Sequence, residues 1–406
     1  MQTSPSSSEP AVAWRLPRMP FFDERHQRVN DEVRQWIASE PGIHTPVESG
    51  DFAAIASSLV SSMGRAGLLR HVVAREEDTA LPDVRTICLI RDQLGYYSAL
   101  ADVAFAMQGI GTLPVWHFGT AQQKHKYLGG NRDGSRVAAL ALSEPTGGSD
   151  VASTRTSAAR EGDGFVINGT KTWISNGGAA SQYIVVARTG EGAGSKGLSA
   201  FIVDADNPGL HVSAQINTMA PHALATLEFK DCRVDSGAML GGPGEGFKIA
   251  MSTLDVFRTS VGAFALGLAR RAFDEALSFV ARRSLFGAPM GELDGVQSRI
   301  GEMKMDLEAA TLLVYHAAWL KDTQGSRITT EASMAKCYAS ERAFAVIDAA
   351  MQLMGAMGLT RGVTVERLFR DIRPARIFEG ASEVQKLIIG RNVIREWAGS
   401  MPGTRS

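Results

Sequence analysis

The chain lacks an excess of charge of either sign. It has 42 Lys and Arg residues against 43 Asp and Glu residues, which gives a formal net charge of −1 at pH 7 with its 8 His taken as neutral. A protein with so balanced a charge has no electrostatic drive towards phosphate backbones or anionic membrane surfaces. The composition therefore predicts neither a nucleic-acid partner nor a membrane partner.

Cysteine is scarce too, and its three positions form no pattern. Cys88, Cys232 and Cys337 are far apart, and none belongs to a Cys-x-x-Cys pair or lies beside a histidine cluster. Disulfide frameworks and zinc sites both depend on such spacing, so neither is expected, and no metal is predicted. Reduced thiols indicate a cytoplasmic location of bacterial type, with the mitochondrial matrix as the alternative.

Long apolar runs are also missing. The run VGAFALGLA, residues 261–269, is far shorter than the ~18 residues that span a bilayer. Residues 1–20 begin with the Ser- and Pro-rich stretch MQTSPSSSEP, which predicts a disordered tail and lacks the apolar middle of a secretory signal.

The spacing of apolar residues divides the remainder into three segments. Residues 21–135 have apolar side chains three and four positions apart, which predicts an N-terminal helical domain. Residues 136–243 contain the short runs FVIN, KTWIS, YIVVA, LSAFIVD and ATLEF between Gly, Asn and Asp, a pattern typical of a small β-barrel or sandwich. Residues 244–400 return to helical spacing. A second helix is predicted from about 331 to 352, and one apolar stripe is formed by Val296, Ile300, Met303, Leu307, Ala310, Val314 and Ala317. The fold class is therefore mainly α with a central β domain.

Two motifs of the β segment combine glycine with groups that could contact a ligand. LSEPTGGSD, residues 142–150, has paired glycines that allow close backbone approach, although a turn between strands explains it too. GTKTWISNG, residues 169–177, places Trp173 near Ser175, a flat face beside a hydroxyl. A hairpin with a core tryptophan is the alternative.

Three further motifs lie in the C-terminal segment. RRSLFG, residues 282–287, ends a long helix with Arg283, which could bind a pyrophosphate or simply be an exposed helix-end residue. QLMGAMGLTRGVTVERLFRD, residues 352–371, is a glycine-broken helix junction. RIFEGASEVQ, residues 376–385, sets Glu379 between an aromatic residue and a glycine. That carboxylate fits either a surface turn or a base in an apolar site.

In this order, and in this helix–β–helix layout, the motifs closely resemble the acyl-CoA dehydrogenase family from about residue 22 to 397. The resemblance implies an N-terminal helical domain, a central β domain and a C-terminal four-helix bundle, assembled as a homotetramer with one FAD per subunit. It implies α,β-dehydrogenation of an acyl-CoA to the trans-2-enoyl-CoA, with electron-transferring flavoprotein as the electron acceptor.

The resemblance also implies roles for individual residues. Those implied to contact the flavin of the same subunit are Leu142, Ser143, Gly148, Ser149, Trp173, Ile174 and Ser175, the last near flavin N5. Those implied to reach the FAD of a neighbouring subunit are Arg283, Phe286, Gln352, Leu353, Met354 and Gly355. Those implied to contact the acyl-CoA are Ser149, Asp255, Arg258 and Gly380.

Glu379 matches the catalytic base of the family. An α-proton beside a thioester is weakly acidic, so the base must lie within hydrogen-bond reach, and desolvation must raise its pKa. Its backbone N–H is implied to polarise the thioester oxygen. Other branches carry the base at the position of Phe257, which takes no proton, so Glu379 is the one candidate.

Some positions depart from the pattern of the family. Ala356 and Ala381 replace a common glycine and threonine, Glu383 replaces a glutamine, and Asp294 adds a carboxylate near the implied pyrophosphate. By the resemblance, Asp102 falls near the place where glutaryl-type enzymes hold an arginine, which disfavours dicarboxylyl substrates.

Three alternatives stay open on the sequence. A flavin-dependent oxidase or monooxygenase of the same fold is disfavoured by Glu379. A helical thioester-binding scaffold without turnover is disfavoured by the joint presence of Glu379, Arg258 and Arg283. The acyl group could also be presented on a carrier protein, and its length and branching are not set by these motifs.

Overall fold

The computed structural model describes residues 19–44, 47, 49–325 and 327–400. Residues 1–18, most of the segment for which a disordered tail is predicted, lie outside the described residues. The chain divides into two compact units. The β-containing unit comprises 32–87 and 100–258, and the bundle unit comprises the residues up to 31, 88–99 and those from 259 onwards.

Helices make up most of the bundle unit, and several also belong to the β-containing unit. The described helices are α1 (Glu24–Ser39), α2 (Phe52–Arg65), α3 (Val84–Tyr97), α4 (Ala99–Phe118), α5 (Ala121–Arg132), α6 (Gly246–Arg282), α7 (Asp294–Gln324), α8 (Thr329–Met354), α9 (Thr364–Ile372) and α10 (Ser382–Ser400). Local chemistry fixes several of their ends. Asp51 caps α2 by accepting a hydrogen bond from the Ala54 N–H, and Thr120 forms a reciprocal capping box with Gln123 at the start of α5.

The β-containing unit is built on one mixed sheet. Its strands are β1 (Ala138–Ala141), β2 (Ser157–Glu161), β3 (Gly164–Ser175), β4 (Gln182–Arg188), β5 (Leu198–Asp204), β6 (Leu210–Gln215), β7 (Leu224–Asp235) and β8 (Met239–Leu240). The order across the sheet is β6-β7-β3-β2-β4-β5-β8, and β1 pairs in parallel with β4. The YIVVA run of β4 is wholly buried, as expected for a strand covered on both faces.

Two of the predicted β-type runs belong to a single strand. FVIN and KTWIS both lie in β3, whose pairing with β7 shifts between Ile167 and Gly169 and again between Lys171 and Ile174. Such bulges turn side chains away from strict alternation. Trp173 lies in the second shift and is 54% exposed, so the alternative of a core tryptophan is wrong.

The bundle unit packs long helices around small residues. α8 packs against α7, α9 and α10. The stripe predicted on α7 is largely inside: Met303, Leu307, Ala310, Val314 and Ala317 are buried, and Val296 and Ile300 are half-buried. Gly262 of α6 allows the close approach, because a Cβ there would lie 2.7 Å from Cγ2 of Val314.

A short hairpin follows α6. It pairs β9 (Ser284–Leu285) with β10 (Ala288–Pro289) in antiparallel fashion. α6 itself is, by length and composition, the one described helix that could cross a membrane, but 78% of its most apolar window is buried inside the protein. Burial of that kind is typical of a core helix.

Candidate active site

Backbone strain marks several of the predicted site residues. The non-glycine residues of the described chain with a left-handed backbone have φ between 46° and 59°, and they are Trp173, Asn176, Asp231, Phe286 and Glu379. Three of these are residues that the sequence singled out, and Asn176 directly follows Ser175. A side chain in this region costs about 1–3 kcal/mol, and such residues cluster at functional sites. The geometry therefore favours the same positions as the motifs, independently of them.

In the β-containing unit, a buried ion pair joins the two glycine-rich motifs. Lys171 Nζ lies 2.9 Å from a carboxylate oxygen of Glu144 and also donates to the Leu142 carbonyl at 3.0 Å. The same carboxylate accepts from the backbone N–H groups of Arg155 and Thr156. The side chains of Lys171 and Glu144 are 0% and 6% exposed.

Both members of this pair carry their charge near neutral pH. Desolvation lowers the pKa of Lys171 to about 8, although Glu144 pulls it upwards. Burial works to raise the pKa of Glu144, but Lys171 and the backbone donors hold it below its ordinary value. The pair therefore fixes the loop of residues 142–150 against β3, where the Thr172 N–H also donates to the Ser143 carbonyl at 2.9 Å.

The end of β3 presents the other predicted groups of this unit. Trp173 is exposed, Ser175 is half-buried, and Ile174 is buried, at 2% exposure. The Ser175 Oγ lies 2.9 Å from Nε2 of His222. Desolvation lowers the pKa of His222 to about 4, so its ring is neutral at pH 7.

These groups fit a planar, hydrogen-bond-accepting cofactor. Gly148 and Ser149 are exposed, and their backbone N–H groups make no hydrogen bond among the residues that the structure describes. Leu142 and Ser143 are half-buried beside them. An exposed indole face, free N–H donors and a hydroxyl are what the ring of a flavin requires.

The start of α6 supplies a further polar pair to the β-containing unit. Arg258 NH1 donates to Asp255 Oδ1 at 2.8 Å, and its side chain is 7% exposed. The Arg258 Nε is buried without a hydrogen-bond partner within the described part of the chain. Phe257 is 1% exposed, and its Cζ would lie 2.3 Å from a Cβ placed on Gly109 of α4. A bound polar group could satisfy Arg258.

In the bundle unit, Glu379 lies in a turn whose backbone is held by buried side chains. Lys336 of α8, 0% exposed, donates from Nζ to the Gly380 carbonyl at 2.8 Å. Gln385 Nε2, also buried, donates to the same carbonyl at 3.0 Å. Gly380 has φ +95°, a backbone conformation that residues with a side chain rarely adopt, and a Cβ on it would lie 2.2 Å from Gln385 Nε2, so any other residue would strain the turn.

Glu341 of α8 holds both ends of this turn. Its carboxylate accepts from Arg376 Nε at 2.9 Å and from Ser382 Oγ at 2.6 Å, the residues that flank the turn on either side. Burial works to raise the pKa of Glu341, but Ser382 and Arg376 hold it below its ordinary value. Glu379 is half-buried with its Oε2 atom inside, so the turn presents a carboxylate on a fixed backbone.

The remaining predicted residues of the bundle unit are at its surface. Arg283 directly follows α6 and is exposed, and it makes no ion pair within the described residues. Phe286, at the tip of the hairpin, is 97% exposed. At the end of α8, Gln352 and Gly355 are exposed, Leu353 is half-buried and Met354 is buried.

The departures from the family pattern are at accessible positions. Asp294, Ala356 and Glu383 are exposed, and Ala381 is half-buried. Asp102, by contrast, is fully buried in α4.

Sequence reasoning missed the residues that hold the site in place. Lys336 and Glu341 support the Glu379 turn, and His222 contacts Ser175, but none of the three lies in a motif that the sequence singled out. Gln385 ends the RIFEGASEVQ motif, but no role was predicted for it. The signal for Glu144 and Lys171 was present, since both stand inside quoted motifs as opposite charges in an apolar segment.

Three family models match the chain in succession. They describe the N-terminal, middle and C-terminal domains of acyl-CoA dehydrogenase, and they match residues 23–135, 139–232 and 244–394.

Individual proteins match over most of their length. The mitochondrial short-chain specific acyl-CoA dehydrogenase of Mus musculus is 38% identical over 341 residues, 83% of this chain and 82% of that protein. An acyl-CoA dehydrogenase of Bacillus subtilis is 36% identical over 369 residues, 90% of this chain and 96% of that one. The butyryl-CoA dehydrogenase structure from Megasphaera elsdenii has a TM-score of 0.85 at 32% identity and covers 92% of this chain and 99% of its own.

Proposed function

The chain belongs to the acyl-CoA dehydrogenase family, and we propose that it converts a short-chain acyl-CoA to the trans-2-enoyl-CoA with Glu379 as the base. Membership makes it an FAD-dependent flavoprotein oxidoreductase. Electron-transferring flavoprotein is the proposed electron acceptor. The proposed division of the chain is a helical domain over 21–135, a β domain over 136–243 and a helical bundle over 244–400.

The observation that carries the proposal is the Glu379 turn. A base must approach the α-carbon closely and in one orientation, and a left-handed residue followed by an obligatory glycine gives that access. Lys336 and Gln385 bond to the Gly380 carbonyl, and Glu341 bonds to the Ser382 side chain at the end of the turn. These bonds fix the position of the carboxylate. Glu379 then takes the α-proton, and its backbone N–H is the proposed donor to the thioester oxygen.

The β-containing unit is the proposed site of the flavin. Bound FAD would supply the redox chemistry by accepting a hydride from the β-carbon as the α-proton leaves. The residues proposed to hold its ring are Leu142, Ser143, Gly148, Ser149, Trp173, Ile174 and Ser175. Ser149, Asp255, Arg258 and Gly380 are the proposed contacts of the acyl-CoA.

The short acyl chain is proposed from the relatives. The mouse protein is named as short-chain specific, and the Megasphaera protein is a butyryl-CoA dehydrogenase. Coenzyme A is the proposed carrier, since both named relatives use it.

Anaerobic mixing with acyl-CoA substrates tests the function directly. We expect butyryl-CoA to bleach the flavin absorbance rapidly and to yield crotonyl-CoA, whereas palmitoyl-CoA and glutaryl-CoA react slowly. Branched and cyclic acyl-CoAs complete the panel, and a butyryl carrier protein compares the two carriers.

Two results would contradict the proposal. Flavin that stays oxidised with every thioester would exclude dehydrogenation. Rapid reoxidation of the reduced protein by air, with no acceleration by electron-transferring flavoprotein, would favour an oxidase instead.

The bundle unit carries apolar surface that favours a homo-oligomer, which we propose to be a tetramer. Twelve of the fifteen exposed large hydrophobic side chains of the described residues lie in it, among them Phe286 at 97%, Leu359 at 71% and Ile394 at 70%. So many large apolar side chains exposed on one unit favour an association surface there. We place Arg283, Phe286 and Gln352–Gly355 against the FAD of a neighbouring subunit.

Arg283→Ala should weaken FAD retention and oligomer stability together. A charge-assisted contact to a pyrophosphate contributes roughly 1.5–3 kcal/mol, and bound cofactor stabilises the folded protein by mass action. FAD content after gel filtration, oligomer size and melting temperature report the effect. Arg282→Ala is the matched control, because Arg282 is the preceding exposed arginine and bonds only to Ser278 of its own helix among the described residues. Equal behaviour of the two variants would contradict the cross-subunit role.

The relatives include mitochondrial and bacterial proteins. A cytoplasmic location of bacterial type is proposed for this chain, in keeping with its scattered, buried thiols.

A further inference from the structure

The register of the sheet brings His222 to the end of β3. β7 begins at Leu224, which pairs with Ser175, the last residue of β3. The connection from β6 to β7 closes where the Ile216 N–H donates to the Leu224 carbonyl at 2.8 Å. His222 stands two residues before β7 and therefore lies beside Ser175, with Nε2 at 2.9 Å from Oγ. The contact joins two residues 47 positions apart, and strand pairing fixes it.

The ring of His222 is neutral over the range in which an enzyme of this kind works. Desolvation lowers its pKa to about 4, and no charged side chain of the described residues contributes to the shift. A neutral imidazole has one N–H donor and one acceptor nitrogen. If the N–H faces Ser175, the serine hydroxyl stays free to donate to a third group; if the acceptor nitrogen faces it, the hydroxyl hydrogen is used by the ring.

We propose that His222 is a positioning residue for Ser175, donating from Nε2–H to the serine Oγ so that the hydroxyl hydrogen points towards the cofactor. This rests on the proposed function, in which Ser175 contacts the flavin. A serine hydroxyl otherwise rotates among three staggered positions. If the ring accepted the hydroxyl hydrogen instead, Ser175 would have only lone pairs to offer. A ring nitrogen of oxidised flavin is an acceptor, so it is served only by the first arrangement.

A double-mutant cycle on FAD affinity tests the proposal. The dissociation constant of FAD is measured by equilibrium dialysis of the full-length protein for His222→Leu, Ser175→Ala and the double variant. A lost hydrogen bond should raise it about three- to tenfold in either single variant. Because His222 acts through Ser175, His222→Leu should then add no further loss in the Ser175→Ala background. His222→Gln keeps an N–H donor and should restore affinity to within about twofold of the wild type.

The outcomes separate positioning from packing. An equal loss from His222→Leu with and without the Ser175 hydroxyl would show that His222 only packs, and would overturn the proposal. So would failure of His222→Gln to recover affinity while its melting temperature matches the wild type. The proposed function has its own test, because it is contradicted if no acyl-CoA bleaches the flavin of the wild type. The FAD affinities of the four proteins can still be compared in that case.

A second readout concerns the charge state of the ring. The folded pKa, about 4, is below the ordinary value of 6.5, so the unfolded chain binds the proton more tightly. The stability that His222 contributes is therefore complete above pH 6.5 and is lost as the pH falls towards 4. As the pH falls over this range, the melting temperature of the holoenzyme should decrease more steeply for the wild type than for His222→Gln. Identical pH profiles would overturn the assignment of a neutral ring.

Discussion

Glu379→Gln leaves FAD and acyl-CoA bound but nearly abolishes bleaching of the flavin. Glutamine has the shape of glutamate and the same tolerance of the left-handed backbone, so Lys336 and Gln385 still hold the turn. The amide cannot accept the α-proton, however, and loss of a general base typically slows the reaction by about 10²–10⁴-fold. Anaerobic stopped-flow absorbance of the oxidised flavin measures the rate, and dialysis measures retained FAD.

A nearby glutamate provides the control. Glu383 lies four positions further on, exposed in the first turn of α10. Glu383→Gln removes the same charge from the same segment, and we expect a reduction rate close to that of the wild type. If Glu379→Gln reduces its flavin as fast as Glu383→Gln does, the carboxylate of Glu379 is not the base.

Lys171→Met destabilises the protein by about 3–5 kcal/mol, the usual effect of leaving one member of a buried ion pair alone. Glu144 keeps its two backbone donors but loses the ammonium at 2.9 Å, and the Leu142 carbonyl loses a donor as well. The urea midpoint, at fixed protein and FAD concentrations, should therefore fall markedly.

Two comparisons distinguish this effect from a general cost of the substitution. Lys230→Met breaks an exposed ion pair with Glu228, also 2.9 Å long, in the same unit, and should change stability by less than about 1 kcal/mol. Adding Glu144→Gln to Lys171→Met removes the uncompensated charge and should recover part of the loss. A double variant less stable than Lys171→Met would contradict a buried charge as the cause.

The order of the segments was predictable because periodicity survives in the sequence. The α7 stripe from Val296 to Ala317 repeats with the turn of a helix, and the YIVVA run is a strand that is buried throughout. Helix bounds were close too: a helix predicted from about 331 to 352 is observed as α8, Thr329–Met354. The Gly-Ala pair at 355–356 comes directly after that helix, and Gly355 caps it with a φ of 60°.

The exposure of Trp173 was not predictable, because it depends on a bulge between β3 and β7 that neither strand shows alone. The supports of Glu379 were hidden for a related reason. Lys336 is 44 positions from Gly380, and a buried lysine on a helix has no local signature of what its ammonium contacts. The motifs identified the carboxylate of Glu379, whereas only the fold identifies the side chains that fix its position.

At the residues with a left-handed backbone, thermal stability and catalytic activity make opposite demands on the side chain. Glycine or asparagine accepts such a backbone more easily than Glu379, Trp173 or Phe286 does, so each of the three holds its place at a cost to folding. Selection for heat resistance alone would be expected to replace them, and selection for turnover to restore them. A library of variants selected only for survival on heating would therefore lose catalytic residues, and the first substitutions are expected at these three positions.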